Sequence, residues 1–515
     1  MTGRPRYALA ALAGIAAVVL GAGVGEFAAA IAAPASSPFA AIGGTLIDAA
    51  PPWAKNTAIA LFGTGDKAAL LTGIAIVLLV VAAVAGVLEA RFPPTGRIIC
   101  LVLGAVGVIA AVHRPDADSL AWAPSAISGI LAAVAIGPLV RLAGVRMPAT
   151  GEPAEPETGT TTRRGFFAWT ATAAVVGVVA AAVGTAMQGG SRAVSALRKA
   201  VHLPAPVSTV TVPSSASLSV PGITPVITSN ADFYRIDTAL VVPQVDPDTW
   251  RLRIHGLVDR EVILTWAQLL ALPLRESAAT LSCVSNDVGG GLISTAVWLG
   301  YPLRELLAKA GVHPDADMVL STSVDGFTAS TPLETLTDPH REAILAVGMN
   351  GEPLPPEHGF PVRMVVPGLY GYVSATKWVT DLEVTRFADA TAYWTDRGWS
   401  SHGPIKLESR IDVPQNGSRV KAGDAVIAGV AWHPHTAITG VQVQVDSGPW
   451  QHAQLATAVS ADTWVQWRLP WKAAAGSHRI RVRAMDADGT VQTETIAPPE
   501  PNGASGWHTI QVTVA

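Results

Sequence analysis

Five runs of nearly uncharged Ala, Val, Leu and Gly constrain this chain more than any other feature. They cover Tyr7 to Glu26, Ala68 to Leu88, Ile98 to Val112, Ala121 to Val140 and Phe166 to Met187. A helix needs about 20 apolar residues to cross a bilayer. The charged loops between the runs argue against core helices of a soluble domain. The third run is short, and residues 38 to 63 hold weaker apolar patches, so the number of spans stays open. Composition agrees with a membrane part: 50% of the 515 residues are hydrophobic and only 14% charged, too apolar for a wholly soluble chain.

Positive charge sets the expected orientation. Arg4 and Arg6, Arg91 and Arg97, Arg141 and Arg146, and Arg163 and Arg164 all fall on one side if there are five spans. That side is expected to be cytoplasmic. The other connections carry Asp48, Asp66, Asp116 and Asp118. An odd number of spans then places everything after Met187 outside, in a bacterial cell membrane. The run T-R-R-G-F-F at Thr162 to Phe167 resembles a twin-arginine export signal; ordinary charge flanking is the other reading. A b-type haem needs facing axial ligands, and His113 is the only histidine near the spans, so no haem is expected. Glu26 and Glu89 sit near run ends, where charge is cheap, and carry no assigned role.

Two linkers divide the rest. Residues 147–162 are rich in Pro, Gly, Thr and Glu and read as a linker within a transmembrane domain of residues 1–190. Residues 191–225 read as an extended tether. From about 226 to 400, short alternating runs mix with short helices such as W-A-Q-L-L-A-L, which predicts an α+β domain. Residues 405–515 hold strand-like runs divided by Gly, Asp and Pro, the spacing of an antiparallel β-sandwich of immunoglobulin type. The fold class is therefore multi-domain: α-helical membrane part, α+β domain, β-sandwich. A net charge of −4 and no long basic run leave no nucleic-acid footprint. Two cysteines exclude a disulfide scaffold.

One of those cysteines, Cys100, lies in an apolar run. The other, Cys283, lies in T-L-S-C-V-S-N-D-V-G-G-G-L-I-S-T-A-V-W-L-G-Y-P-L, from Thr280 to Leu303. Taken alone, Cys283 is buried filler, a nucleophile or a metal ligand. Three further segments stand out: S-N-A-D-F-Y-R-I-D at Ser229 to Asp237, V-D-G-F-T-A-S-T-P at Val324 to Pro332, and H-G-F-P-V-R-M-V-V-P-G-L-Y-G-Y-V-S-A-T-K-W at His358 to Trp378.

Together the four segments resemble, in order, the sulfite-oxidase family of molybdopterin-dependent oxidoreductases. Cys283 and Asn286 match its C-x-x-N; Ser294, Thr295, Ala296, Trp298, Gly300 and Leu303 match its S-T-A-x-W-x-G-x-x-L. The resemblance implies Mo-molybdopterin with Cys283 as the metal ligand. A soft thiolate suits a metal already held by dithiolene sulfurs. It implies cofactor contacts from Asn230, Phe233, Tyr234, Arg235, Asp237, Asp325, His358 and Arg363. Gly368 and Gly371 would let backbone approach the cofactor, and Ser374, Ala375, Thr376 and Lys377 would complete an anion nest. It also implies a homodimer through the C-terminal domain, and an electron-transfer or membrane partner, since no haem domain is present.

The residues around the metal position depart from the family. Asp287 stands where an arginine is expected, Phe327 where a tyrosine is expected, and Asp237 where a histidine is expected. With Cys283, Arg235 and Asp287 at the reaction centre, carboxylates should disfavour sulfite. The expectation is oxygen-atom transfer to or from an S-oxide, N-oxide or small oxyanion. Arg397 is a further candidate cation. The alternatives are sulfite oxidation, or a non-catalytic surface binding protein on the same fold.

Overall fold

The computed structural model describes residues 4–33, 36–51, 54, 57, 61, 66–114, 117, 119–143, 163–189 and 192–515. The linker 147–162 lies outside them, as do Arg146, Asp116, Asp118 and Thr162 of the export motif. Two compact units result. One is Met1–Ala193 with Thr238–Pro243; the other is Val194–Asp237 with Gln244–Ala515.

The first unit is helical: α1 (Arg4–Ala32), α2 (Pro38–Ala49), α3 (Asp66–Arg91), α4 (Thr95–Val112), α5 (Ala123–Leu142) and α6 (Arg163–Gly189). Among the described residues, five helices are long and apolar enough to cross a membrane: Tyr7–Ala32, Lys67–Arg91, Thr95–Val112, Ala123–Leu142 and Arg164–Met187. They match the five sequence runs within a few residues at each end, the fourth being shifted by two. Their outward faces carry exposed Ile76, Val80, Val102, Ile109, Val134 and Val178, the surface a lipid solvent requires.

Inside the unit, small residues let backbones touch. A Cβ on Gly23 would collide with the carbonyl oxygen of Gly177, and one on Gly14 with that of Ala82. Glu26 and Glu89 are buried rather than at a wet end. Each has a partner: Glu26 Oε1 accepts from Phe39 N–H at 3.0 Å, and Glu89 pairs with Arg97 at 2.9 Å.

The second unit begins within α7 (Arg192–Ala200), which is followed by an extended stretch that is packed rather than free. Ser208 bridges Arg275, Leu218 N–H donates to Gln466 Oε1 at 2.6 Å, and Ala216 and Val220 are buried. Two sheets follow. The first has the order β2-β1-β10-β5-β6, from β1 (Arg251–Gly256), β2 (Val262–Thr265), β5 (Met318–Ser323), β6 (Thr328–Pro332) and β10 (Val379–Thr385). The second runs β3-β4-β7-β8, from β3 (Arg275–Ser282), β4 (Ile293–Pro302), β7 (Ile344–Met349) and β8 (Glu352–Pro353), with β9 (Arg363–Val365) also on β7. Short helices α8 (Trp266–Leu270), α9 (Leu303–Ala310) and α10 (Leu333–Thr337) lie between strands. Thr265 and Gln268 form a reciprocal capping box at the start of α8. This is a mixed α+β fold.

The C-terminal region is all strand. One sheet pairs β11 (Glu408–Val413), β13 (Gly423–Trp432), β17 (Val465–Ala473) and β16 (Gln454–Leu455). The other pairs β12 (Arg419–Val420), β19 (Thr509–Val514), β18 (Gly476–Asp486), β14 (Ile438–Val445) and β15 (Gln451–His452). Strict alternation in β19 sends Ile510, Val512 and Val514 inward. Ile510 and Val512 join Ile427, Trp467, Val441 and Val482 in one core. Trp432 and Trp464 belong instead to the core of the preceding α+β part, so the two parts share a packed seam.

Candidate functional site

Cys283 directly follows β3, in the loop that joins it to β4. Backbone closes the loop neck, Cys283 N–H donating to Leu292 O at 2.9 Å. Asn286 closes its interior, its Oδ1 accepting from Leu292 N–H at 2.7 Å. The other end of that amide, Nδ2, is buried and has no partner among the described residues. Burial pushes the Cys283 thiol up, while hydrogen bonds donated by the Ser285 backbone and hydroxyl and the Val284 backbone oppose it. Donors converging on a sulfur favour its anionic form.

The walls come from three distant segments. Phe233 meets Trp298 edge-on at 5.5 Å and His358 edge-on at 5.4 Å, and stacks on Tyr234 at 5.5 Å. The Tyr234 phenol is pushed up by burial and by Cys283, against the pull of Arg363. Asn230 is held by Asn350, whose Nδ2 donates to its Oδ1 at 2.8 Å; its own Nδ2 donates to Met349 O at 3.3 Å.

Arg363 begins β9 and is 5% exposed. Its guanidinium donates to His358 O at 3.1 Å, Met364 O at 3.3 Å and Ala375 O at 3.5 Å. It also stacks over Trp298 at 5.0 Å. Among the described residues no carboxylate pairs with it, and burial pulls it down to about 10. Gly359 makes this corner possible. Its φ is +109°, and a Cβ there would press on the Arg363 Cβ at 2.9 Å. His358 is pulled down to about 3 by burial and by Arg363, Lys377 and Arg235, so it is neutral at physiological pH.

Asp237 is the hub of the opposite side. Its Oδ2 takes Arg235 Nε–H at 2.9 Å and Lys377 Nζ at 2.6 Å, and only 5% of its side chain is exposed. Burial pulls Lys377 down to about 8, with Asp237 opposing. Arg235, Lys377 and Arg363 against Asp237 leave a net charge of about +2 around a neutral imidazole.

The remaining expected positions differ in kind. Ser374 N–H and Ala375 N–H both donate to Gly371 O, at 3.3 and 2.9 Å. The Ser374 hydroxyl bonds Tyr370 O at 2.9 Å, and the Thr376 hydroxyl bonds that of Ser321 at 2.7 Å. The Ser374 and Ala375 amides and the Ser374 and Thr376 hydroxyls are thus engaged in local structure. Gly368 has φ +85°, whereas a Cβ on Gly371 would make only ordinary contacts, 3.7 Å from Ser282 O. Asp325 caps its own turn, accepting from Phe327 N–H at 3.3 Å. Phe327 lies 5.7 Å from the Tyr393 ring, and Arg397 stacks over that ring at 3.6 Å. Asp287 is exposed to solvent.

Two residues were not singled out from the sequence. Arg410 of β11 donates to Gly290 O, in the Cys283 loop, at 2.7 Å. Glu408 of the same strand is buried beside it. The E-S-R alternation puts both on one strand face, but only the fold brings that face to the loop.

Comparison with known proteins decides the family. Residues 239–394 match the family model described as an oxidoreductase molybdopterin binding domain. Rat mitochondrial sulfite oxidase is 32% identical over 340 residues, covering 56% of this chain and 62% of that protein. The uncharacterized oxidoreductase YuiH of Bacillus subtilis is 34% identical over 158 residues, covering 31% of this chain and 76% of that one. The chain belongs to the sulfite-oxidase family.

Among solved structures, the sulfane dehydrogenase SoxCD from Paracoccus pantotrophus superposes with a TM-score of 0.50 at 25% identity, covering 60% of this chain and 86% of that one. The chain spans under two thirds of the length of the mitochondrial sulfite oxidases it matches. It is a multi-pass membrane protein with a soluble, extramembrane oxidoreductase domain of this family. The site fits the family's cofactor. A fully buried guanidinium without a counter-ion calls for an anion, and donors gathered on a buried thiol suit a thiolate ligand. No cluster of three or more His, Cys, Asp or Glu that could hold a metal ion occurs among the described residues.

Proposed function

We propose that this protein oxidises a small sulfur anion, sulfite foremost, as a membrane-anchored molybdopterin enzyme. The observation that carries the reading is the pairing of Asp237 with both Arg235 and Lys377. The expected bias toward an S-oxide or N-oxide rested on Asp237 and Asp287 as bare negative charges. Asp237 is instead neutralised by two cations, and Asp287 is exposed, where water screens it. The sulfite oxidases and the sulfane dehydrogenase among its relatives support the same direction.

When bound, molybdenum–molybdopterin supplies two-electron oxygen-atom transfer. The chain supplies binding, orientation and charge. Cys283 is the metal ligand, oriented by the loop that Asn286 closes. Arg363 and Lys377 offset the cofactor's phosphate, with Asn230, Phe233, Tyr234, Asp325 and His358 along the pterin. Ser374, Ala375 and Thr376 shape the turn behind it. Arg235, its side chain 39% exposed, holds the anionic end of the substrate, with Asp287 at the mouth.

The arginine distribution supports an extracytoplasmic catalytic region, exported by the twin-arginine route and anchored by residues 1–190. The shared core of the two C-terminal sheets supports an immunoglobulin-like sandwich that dimerises. Electrons leave to a separate electron-transfer protein. Steady-state assays of the molybdenum-loaded full chain with sulfite and with methionine sulfoxide test the reading. Efficient sulfite oxidation supports it; turnover of the sulfoxide alone overturns it.

A further inference from the structure

The loop that carries Cys283 contains the run Gly289, Gly290, Gly291. Such a run has no side chains to hold its shape, and glycine gives backbone its greatest freedom. The C-terminal strands supply the hold. Arg410 of β11 donates through Nη1 to Gly290 O at 2.7 Å. The His508 ring, just before β19, fills the space that a Cβ on Gly289 would need. Its Nδ1 accepts from Ile411 N–H at 3.0 Å, which ties the ring to the same strand.

Arg410 is itself fixed along its other edges. Nε donates to Asp412 Oδ1 at 2.7 Å, and Nη2 donates to Thr224 Oγ1 at 2.8 Å. Asp412 Oδ2 accepts from Thr224 N–H at 3.0 Å, which closes a ring of hydrogen bonds. The side chains of Arg410 and Asp412 are only 12% and 8% exposed, so solvent screens the pair little. A planar guanidinium can serve three acceptors in fixed directions, which an ammonium cannot.

From Gly290 the geometry runs back to the cysteine. Gly290 N–H donates to Asp287 O at 2.7 Å, and Asn286 N–H donates to Cys283 O at 3.1 Å. A Cβ on Gly290 would collide with Asn286 Oδ1, the atom that receives Leu292 N–H. The residue whose carbonyl Arg410 holds is therefore packed on the amide that closes the loop.

We propose that Arg410 is a positioning residue of the metal site. Through it the C-terminal strands fix the loop that presents the Cys283 thiolate to molybdenum. The inference rests on the molybdopterin reading above and deepens it. Arg410 acts through Gly290 and Asn286. The C-terminal region thereby takes part in the site of the neighbouring domain, beyond packing against it.

The test is a paired variant in the full chain. Arg410→Met removes the fork at similar length. Asp412→Asn goes with it, so that no buried carboxylate is left without its cation. In the cofactor-free protein, amide hydrogen exchange at Asn286, Gly290 and Leu292 should quicken by roughly 10-fold or more. Amides of β3 and β4 should exchange as in wild type. Trp464→Phe removes a different hydrogen bond of the same seam, from Nε1 to Val226 O at 2.8 Å, and should leave the loop at the wild-type rate. In the loaded protein, the paired variant should hold less molybdenum at limiting cofactor. Its kcat for sulfite per molybdenum should fall by roughly 10-fold while KM stays within about twofold, since Arg235 still binds the anion. Loop exchange at the wild-type rate, or quickened as much by Trp464→Phe, overturns the assignment. So does exchange quickened equally in β3 and β4, which would mark a structural role alone, and so does wild-type molybdenum content with wild-type kcat. A loaded wild-type enzyme that turns over no sulfite counts against the functional reading instead, while the exchange result still decides Arg410.

Discussion

Lys377 Nζ lies 2.6 Å from Asp237 Oδ2, in a contact buried on both sides and joined by Arg235. That ion pair turns a residue read as an obstacle to anions into the anchor of a cationic wall. Removing one partner of a buried pair typically costs about 3–5 kcal/mol, because the other charge is left unpaired. Asp237→Asn should therefore lower unfolding stability by roughly that amount in denaturant titrations. Molybdenum content should fall with it. A stability change within experimental error would show that the pair contributes nothing.

How much of this was legible beforehand depends on how far apart the partners lie. The five spans were visible because a lipid-facing helix must be apolar along its whole length. The Cys283 loop was visible because ligand and loop-closing amide are three residues apart. Asp237 and Lys377 are separated by 140 positions, and nothing local tells Asp237 that it will be neutralised. Glu408 and Arg410 come from a strand of the C-terminal sheets, and the seam between the two parts brings them to the loop. The turn at Gly371 consumes the amides of Ser374 and Ala375, a detail of backbone geometry that a motif does not encode.

Arg363 should matter for the cofactor more than for the fold. Among the described residues, this buried cation has only carbonyl oxygens as hydrogen-bond acceptors. Charge-assisted hydrogen bonds are worth about 1.5–3 kcal/mol, or roughly 10- to 100-fold in affinity. Arg363→Ala is expected to lower cofactor occupancy by that factor, measured as molybdenum per chain at limiting cofactor. Unchanged occupancy would place the phosphate elsewhere.

His358 and Glu408 should bend the pH–stability curve in opposite directions. The folded pKa of His358, about 3, lies below the ordinary 6.5. Its share of stability is present above 6.5 and is lost as pH falls through 3, on the order of 5 kcal/mol in all. The folded pKa of Glu408, about 8, lies above the ordinary 4.5. Its share is present below 4.5 and is lost as pH rises through 8. Thermal midpoints of the cofactor-free protein against pH should thus flatten on the acid side in His358→Gln. They should flatten on the alkaline side in Glu408→Gln. Parallel curves for wild type and either variant would contradict the assignment.

In the helical unit the backbones of α1 and α6 meet at Gly23 and Gly177 with no room for a side chain. Overpacking of a tight contact typically costs about 1–3 kcal/mol. Gly23→Leu should lower the thermal aggregation midpoint of the full chain in detergent, while the same change at Gly73, where a Cβ meets nothing, should leave it unaltered. Equal effects at the two positions would argue against this packing.

The most direct test of the account is the sulfur coordination of molybdenum in the full chain, measured by X-ray absorption for wild type and for Cys283→Ser. If Cys283 is the protein ligand, wild type shows one more sulfur neighbour than the variant, and sulfite turnover disappears with it. The same sulfur coordination in both proteins, with turnover retained, would contradict the claim that this loop holds the metal.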